Sequence, residues 1–421
     1  MIIAIIILSA NTLFAQKDDY VQDQLNTMTD HDSLNLADPL DGYLKTAAEN
    51  NPRLKSLFNR YLAYMERLPQ AKSLPDPSVM FSYYTSPVET RVGAMRGGLS
   101  VNQAFPWFGQ LKSQEQAAAA QAKASFEAFD DERNKLFFKV RSTYYNLYVL
   151  ESAIRITNEN ITFLETLKQL ANVRLESNTG SAVDLLRVEM DLAELFNELE
   201  YLKDSRKPID AEFKELLNVD DIGNILIPDT LSITSIKNGK TPLIDSLIAN
   251  NPSLRKFDSE IEALVNEAEV AKKMGNPSFN LGISYTNIAK REGVEDFSGN
   301  GKDAFIFPQI GVRVPIYRKK YKSMVLEKEL LKSSKIQEKE NRENALLTEL
   351  EKVWRDYLDA QRRVVLFQHL STLAGQSLDI LLAEYTSDGT DFEEMLRMDR
   401  KLLKYELELE KARADQSTSI A

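Results

Sequence analysis

Cysteine is absent from the 421 residues. That excludes disulfides, thiolate metal ligation, a cysteine nucleophile and a lipidated N-terminal cysteine. Histidine is almost absent too, and His31 and His369 show none of the His-Glu-x-x-His spacing of a zinc hydrolase. Basic residues are the minority, 52 Lys and Arg against 63 Asp and Glu, giving a net charge of −11. This acidic balance argues against a nucleic-acid partner, which needs an extended basic face. After the first fifteen residues no stretch is long and apolar enough for a transmembrane helix, so any passage through a membrane falls to β-strands. Asn238-Gly239-Lys240-Thr241 imitates the end of a phosphate-binding loop, but Thr234 stands where its first glycine belongs. No cofactor, metal site or catalytic residue is expected, and the chain does not read as an enzyme.

What the chain has is ample apolar material, 43% hydrophobic residues, which suits ordered structure rather than disorder. Its start is apolar through Ile7-Leu8 and closes on Leu13-Phe14-Ala15 before Gln16. Residues 1–15 therefore read as an export signal with a small residue at the cleavage point, although the positive n-region is missing.

Beyond Gln16 the helix breakers recur. Asn51-Pro52-Arg53-Leu54 returns as Asn251-Pro252-Ser253-Leu254, and Pro77-Ser78 as Pro277-Ser278, both displaced by 200 residues. Pro106 returns as Pro315 and Gly180 as Gly389, now displaced by 209. Landmarks that move together mark a duplicated supersecondary unit. The extra residues fall in 290–303, a Gly-, Asp- and Asn-rich run suited to an exposed hairpin loop. The expected layout is a first repeat at 16–216, a linker at 217–241, a second repeat at 242–415 and a tail at 416–421.

Each copy reads as helix, strand, loop, strand, very long helix, tight turn and returning helix. Val79, Phe81 and Tyr83 alternate with Met80, Ser82 and Tyr84, and Leu99 and Val101 with Ser100 and Asn102. In the second copy Phe279, Leu281, Ile283 and Tyr285 alternate with small or polar residues, as do Ile310, Val312 and Val314. Aromatic residues gather near the strand ends, among them Phe105, Trp107, Phe108, Phe305, Phe307 and Tyr317, where a membrane barrel places its interfacial girdle. The helical segments carry apolar residues at steps of three, four and seven, a coiled-coil rhythm. A helix over 109–176 would run roughly 100 Å at ~1.5 Å per residue. Shorter helices are expected at 42–73 and 181–217.

The junction of strand and long helix is Pro106-Trp107-Phe108-Gly109-Gln110-Leu111. Proline cannot donate to a sheet ladder but suits a first helical turn, so Pro106, and Pro315 in the second copy, exchange one structure for the other. On this motif and the duplicated plan, the chain resembles the TolC family of outer-membrane efflux proteins, and within it the metal-cation branch. The resemblance implies a mixed, mainly α fold: duplicated long helical hairpins forming an α-barrel tunnel in the periplasm. Four β-strands per chain would contribute to a twelve-stranded barrel of a homotrimer in outer-membrane lipid. The implied partners are a periplasmic adaptor protein and an inner-membrane efflux pump, and the implied role is a passive channel. Open sheet edges, which lipid cannot satisfy, support the oligomer independently. The alternatives are a periplasmic adaptor, which would carry one hairpin rather than two, and a structural coiled-coil protein.

Two sites follow as expectations. The hairpin turns, with Gly180, Val183 and Leu186 in the first copy and Gly389, Phe392 and Met395 in the second, would dock the adaptor tip to tip. The carboxylates Asp184, Asp388, Asp391, Glu393 and Glu394 would form a negatively charged periplasmic gate, since threefold symmetry turns one inward carboxylate into a ring. Val79, Phe81, Leu99, Val101, Phe279, Leu281, Ile283, Val312 and Val314 would face lipid.

Overall fold

A computed structural model describes residues 39–221, 223–232, 235–236, 239–291, 293, 297–387 and 392–421. The expected export signal and His31 lie outside the described residues. The first copy contributes α1 (Pro39–Asn50), α2 (Pro52–Met65), α3 (Arg67–Lys72), β1 (Ser78–Thr90), β2 (Gly93–Phe105), α4 (Gln110–Glu176) and α5 (Ala182–Leu217). The second contributes α6 (Thr241–Asn250), α7 (Pro252–Met274), β3 (Ser278–Ile288), β4 (Ala304–Arg313), α8 (Arg318–Ser387) and α9 (Phe392–Ile420).

The single helix expected over 42–73 is instead three. Asn51 ends the first: its side chain accepts from the N–H groups of Arg53 and Leu54 at 2.9 and 3.2 Å, capping α2, and Pro52 opens that helix without wasting a donor. Asn251 repeats the device, accepting from Ser253 N at 3.0 Å ahead of Pro252. The long helices came out as their rhythm predicts, 67 residues in α4 and 70 in α8. The segment expected as a tail continues α9 as far as Ile420.

Two compact units emerge, each drawing on both copies. One comprises 39–55, 132–247 and 345–421 of the described residues. Its core packs Leu164, Leu167, Val188, Leu192, Tyr385, Phe392, Met395 and Leu396 from four helices. The linker after α5 forms no helix or strand among its described residues, so its backbone needs other partners. Tyrosines supply them: Leu226 N donates to Tyr43 Oη, Tyr144 Oη to Leu226 O, Leu231 N to Tyr148 Oη and Ile236 N to Tyr357 Oη, at 2.9–3.3 Å.

The other unit comprises Ser56–Asp131 and Ile248–Asn344. An alanine-rich stretch of α4 buries Ala117, Ala120, Ala122 and Ala124, whose small side chains let neighbouring backbones approach closely. Arg255 of α7 bridges Glu127 at 2.8 Å and Asp130 at 3.0 Å. The unit also holds the sheet, antiparallel in the order β1-β2-β3-β4. No helix among the described residues is long and apolar enough to cross a membrane.

Candidate functional site: an uncovered sheet and two hairpin tips

The register of the sheet sorts its side chains onto two unlike faces. Val79 pairs with Val101 and Val101 with Ile283, while Phe81 pairs with Leu99, Leu99 with Tyr285 and Tyr285 with Phe305. Phe279 opposite Val312 and Leu281 opposite Ile310 complete an apolar face. The reverse face carries Ser100 against Ser284, Asn102 against Gly282 and Gly282 against Gln309, with Met80 and Ile306 as its larger apolar members. A soluble sheet buries its apolar face; here Phe81 is 74% and Ile310 68% exposed. Strands β1 and β4 each have one unpaired edge.

At the strand-to-helix junction Trp107 stacks on Phe279 at 6.1 Å and lies edge-on to Phe108 at 5.8 Å. Phe108 itself is 77% exposed. Gly109 has φ of 75°, a left-handed turn that favours glycine. Its carbonyl accepts from Lys273 Nζ at 3.1 Å, fixing the start of α4. Pro315, the counterpart of Pro106, is buried between the end of β4 and the start of α8.

The first hairpin tip is built on one carbonyl. Thr179 N and Gly180 N both donate to Arg174 O, at 2.9 and 3.0 Å, after Asn178 takes the left-handed conformation that ends α4. Ser181 then caps α5 by accepting from Val183 N at 3.1 Å. A Cβ on Gly180 would sit 2.8 Å from Arg174 Cβ, so this residue is required for close approach. Gly180→Ala is expected to loosen the turn by about 1–3 kcal/mol, the usual cost of overpacking. Hydrogen exchange at the Thr179 and Gly180 amides should accelerate, and unchanged exchange would count against this geometry.

Of the expected docking residues, Val183 and Leu186 are open to solvent, at 52% and 57%. Phe392 and Met395 are not. Both are buried against Tyr385 and the α4 and α5 residues of the core, so they cannot present themselves to a partner. Helical periodicity explains the difference: Phe392, Met395, Leu396 and Asp399 share the inward stripe of α9. Gly389, Asp388 and Asp391 lie outside the described residues. The remaining gate candidates are brought together, but each meets an arginine. Arg187 reaches Asp184 at 3.7 Å and Glu393 at 2.9 Å, and Arg397 pairs with Glu394.

A polar group the sequence reading missed lies deeper. Asp399 is 2% exposed and accepts from Asn160 Nδ2 of α4 at 2.8 Å. Burial pushes its carboxyl up to about 7; the charges of Asp191 and Glu406 add to that, while the Asn160 bond and Arg400 oppose it. Arg400 is itself engaged, holding Asp191 with contacts of 2.6 and 2.9 Å. Burial also raises Glu406, helped by Glu159. The available signal was an acid at the i+7 position of an apolar stripe. Among the described residues no group of His, Cys, Asp and Glu is arranged to hold a metal ion.

Among the described residues the chain joins an unburied two-faced sheet to duplicated long helical hairpins. Residues 44–218 match the family model described as outer membrane efflux protein. An uncharacterized protein of Haemophilus influenzae is 25% identical over 201 residues, 47% of this chain and 44% of that protein. Toxin and drug export protein A of Aggregatibacter actinomycetemcomitans is 23% identical over 198 residues, 46% of this chain and 43% of that protein. The chain thus matches less than half the length of these curated relatives. The fold resembles the outer-membrane channel OprN, with a TM-score of 0.71 at 17% identity over 91% of this chain and 88% of that one. It resembles CusC, with 0.72 at 14% identity over 90% of each chain. It also resembles VceC of Vibrio cholerae, with 0.71 at 16% identity over 90% of this chain and 94% of that one. Mainly helical, with four antiparallel strands among the described residues, the fold is like that of these channels.

Proposed function

We propose that this chain is the outer-membrane channel of a tripartite efflux system, a passive conduit rather than an enzyme. It would act as a homotrimer, with its sheet in outer-membrane lipid and its long helices in the periplasm. The observation that carries the reading is the sheet, whose continuous apolar face no described residue covers. Water penalises such a face, and lipid does not. Its two open edges require neighbours, and a closed ring of subunits supplies them. The helices support the same oligomer. Leu366, Leu373 and Ile380 lie at heptad spacing along α8 yet remain exposed, a seam without its partner helix.

Detergent extraction of the outer-membrane fraction followed by light scattering tests the reading. A particle of three chains that conducts ions in planar bilayers is expected, and a water-soluble rod would overturn it.

The hairpin tips would meet a periplasmic adaptor that links the channel to an inner-membrane pump. The exposed Val183 and Leu186 carry that contact, in place of the buried Phe392 and Met395. Val183→Glu with Leu186→Glu is expected to abolish adaptor cross-linking and most efflux while the trimer stays folded. Intact cross-linking would move the contact elsewhere. The tip carboxylates Asp184, Glu393 and Glu394, held by Arg187 and Arg397, would line the periplasmic mouth. The Trp107-Phe108-Gly109 resemblance favours metal cations as cargo, whereas the name of one relative speaks of toxin and drug export.

A further inference from the structure

The acidic balance of the whole chain hides a local exception. Between Asp303 and Glu327 there is no carboxylate, and within that interval Arg313, Arg318, Lys319, Lys320 and Lys322 supply five cations. From Arg318 onward they open helix α8, where the positive end of the macrodipole disfavours cations. Helix stability therefore does not account for them.

The duplication supplies an internal control. At the displacement of 209 residues, Gly109, Gln110, Leu111, Lys112 and Ser113 stand where the second copy has Arg318, Lys319, Lys320, Tyr321 and Lys322. The first copy makes the same passage from strand to helix with a single cation. The fold does not need the basic run.

Nor is the run neutralised. Arg318 donates to Gly275 O at 2.8 Å, a structural tie. Lys320 lies 5.7 Å from the ring centre of Tyr321. Lys319, Lys320 and Lys322 are exposed and form no ion pair with any described residue. Beside them Ile316 and Tyr317 are exposed as well, continuing the apolar character of the sheet.

We propose that Lys319, Lys320 and Lys322 form a docking surface for anionic phospholipid headgroups in the leaflet from which the helices depart. The proposal rests on the channel reading, which puts the apolar sheet face in hydrocarbon. On that reading the chain leaves hydrocarbon near Pro315. The headgroup layer on each side is roughly 5–8 Å deep, and residues 318–322 rise about 6 Å along their helix. The lysines fall within that layer, with long stems that lie along apolar surface while their ammonium groups reach phosphate. Each cation near an anionic membrane surface strengthens association about fivefold.

The test uses the purified full chain reconstituted into phosphatidylcholine vesicles, alone or with a minority of phosphatidylglycerol. Spin-labelled versions of the two lipids report relative affinity from the motionally restricted fraction. The chain should select phosphatidylglycerol several-fold, the preference should weaken with salt, and Lys319→Gln, Lys320→Gln, Lys322→Gln should bring it near unity. Arginine at the same three positions should retain it. A glutamine variant that conducts normally in phosphatidylcholine yet keeps the full preference would overturn the headgroup assignment and leave the channel standing. Failure of the unmodified chain to insert into either bilayer would overturn both. Cell-wall polymer is the competing anionic occupant. A preference for phosphatidylglycerol that is absent, with lysine-dependent cosedimentation of the chain on isolated sacculi, would assign the surface to it instead.

Discussion

Leu281→Arg is expected to reduce the yield of assembled oligomer in the outer-membrane fraction at least tenfold, whereas Ser284→Arg should leave it nearly unchanged. Both residues lie on β3, three positions apart, and strand alternation sends them to opposite faces. Leu281 pairs with Ile310 on the apolar face, and Ser284 pairs with Ser100 on the polar one. A lipid-facing arginine near mid-bilayer costs about 2–4 kcal/mol, and in a trimer the cost is met three times. On a water-filled lumen the same side chain keeps its hydration. A sheet standing in water would treat the two variants alike, because both faces would then be solvated. Equal yields of heat-resistant oligomer would therefore remove the sheet from the membrane.

Much of this geometry is legible in the sequence because its determinants are local. Alternation located all four strands, and the paired prolines located both exits into long helices. What escaped depends on partners distant in the chain. Strict alternation back from Val312 and Ile310 would put Phe305 on the polar face. The register instead slips between Gly282 and Ser284, returning Phe305 to the apolar side opposite Tyr285. The Asn51 break was visible as a repeated landmark but not as a helix end, since only the folded chain reveals which N–H groups its side chain takes. At the second tip an apolar residue after a turn has two uses, docking or packing. The phase of α9 against α4 and α5 decides it, and that phase buries Phe392 and Met395. The Asn160 and Asp399 contact joins residues 239 positions apart, a separation no spacing rule spans.

Burial of Asp399 makes the stability of the helical unit depend on pH in an unusual direction. Asp399 is buried and feels the carboxylates of Asp191 and Glu406, against which Arg400 and the Asn160 amide are the opposing groups. Its folded value of about 7 lies above the ~3.9 of an unfolded aspartate. Between those two values the folded chain binds more protons than the unfolded one. Stability contributed by this group is therefore full below pH ~4, falls as pH rises through the window, and is gone above about 7. Three pKa units correspond to about 4 kcal/mol, an upper bound because the carboxylate can gather water when it ionises. Asp399→Asn keeps the shape and an oxygen for Asn160 to donate to, but carries no charge at any pH. The variant should match the unmodified protein near pH 4 and exceed it by several kcal/mol at pH 8. Helical circular dichroism followed through urea unfolding across that range would read the difference. Parallel curves for the two proteins would mean that Asp399 stays ionised when the chain is folded, with Arg400 rather than a bound proton balancing its charge.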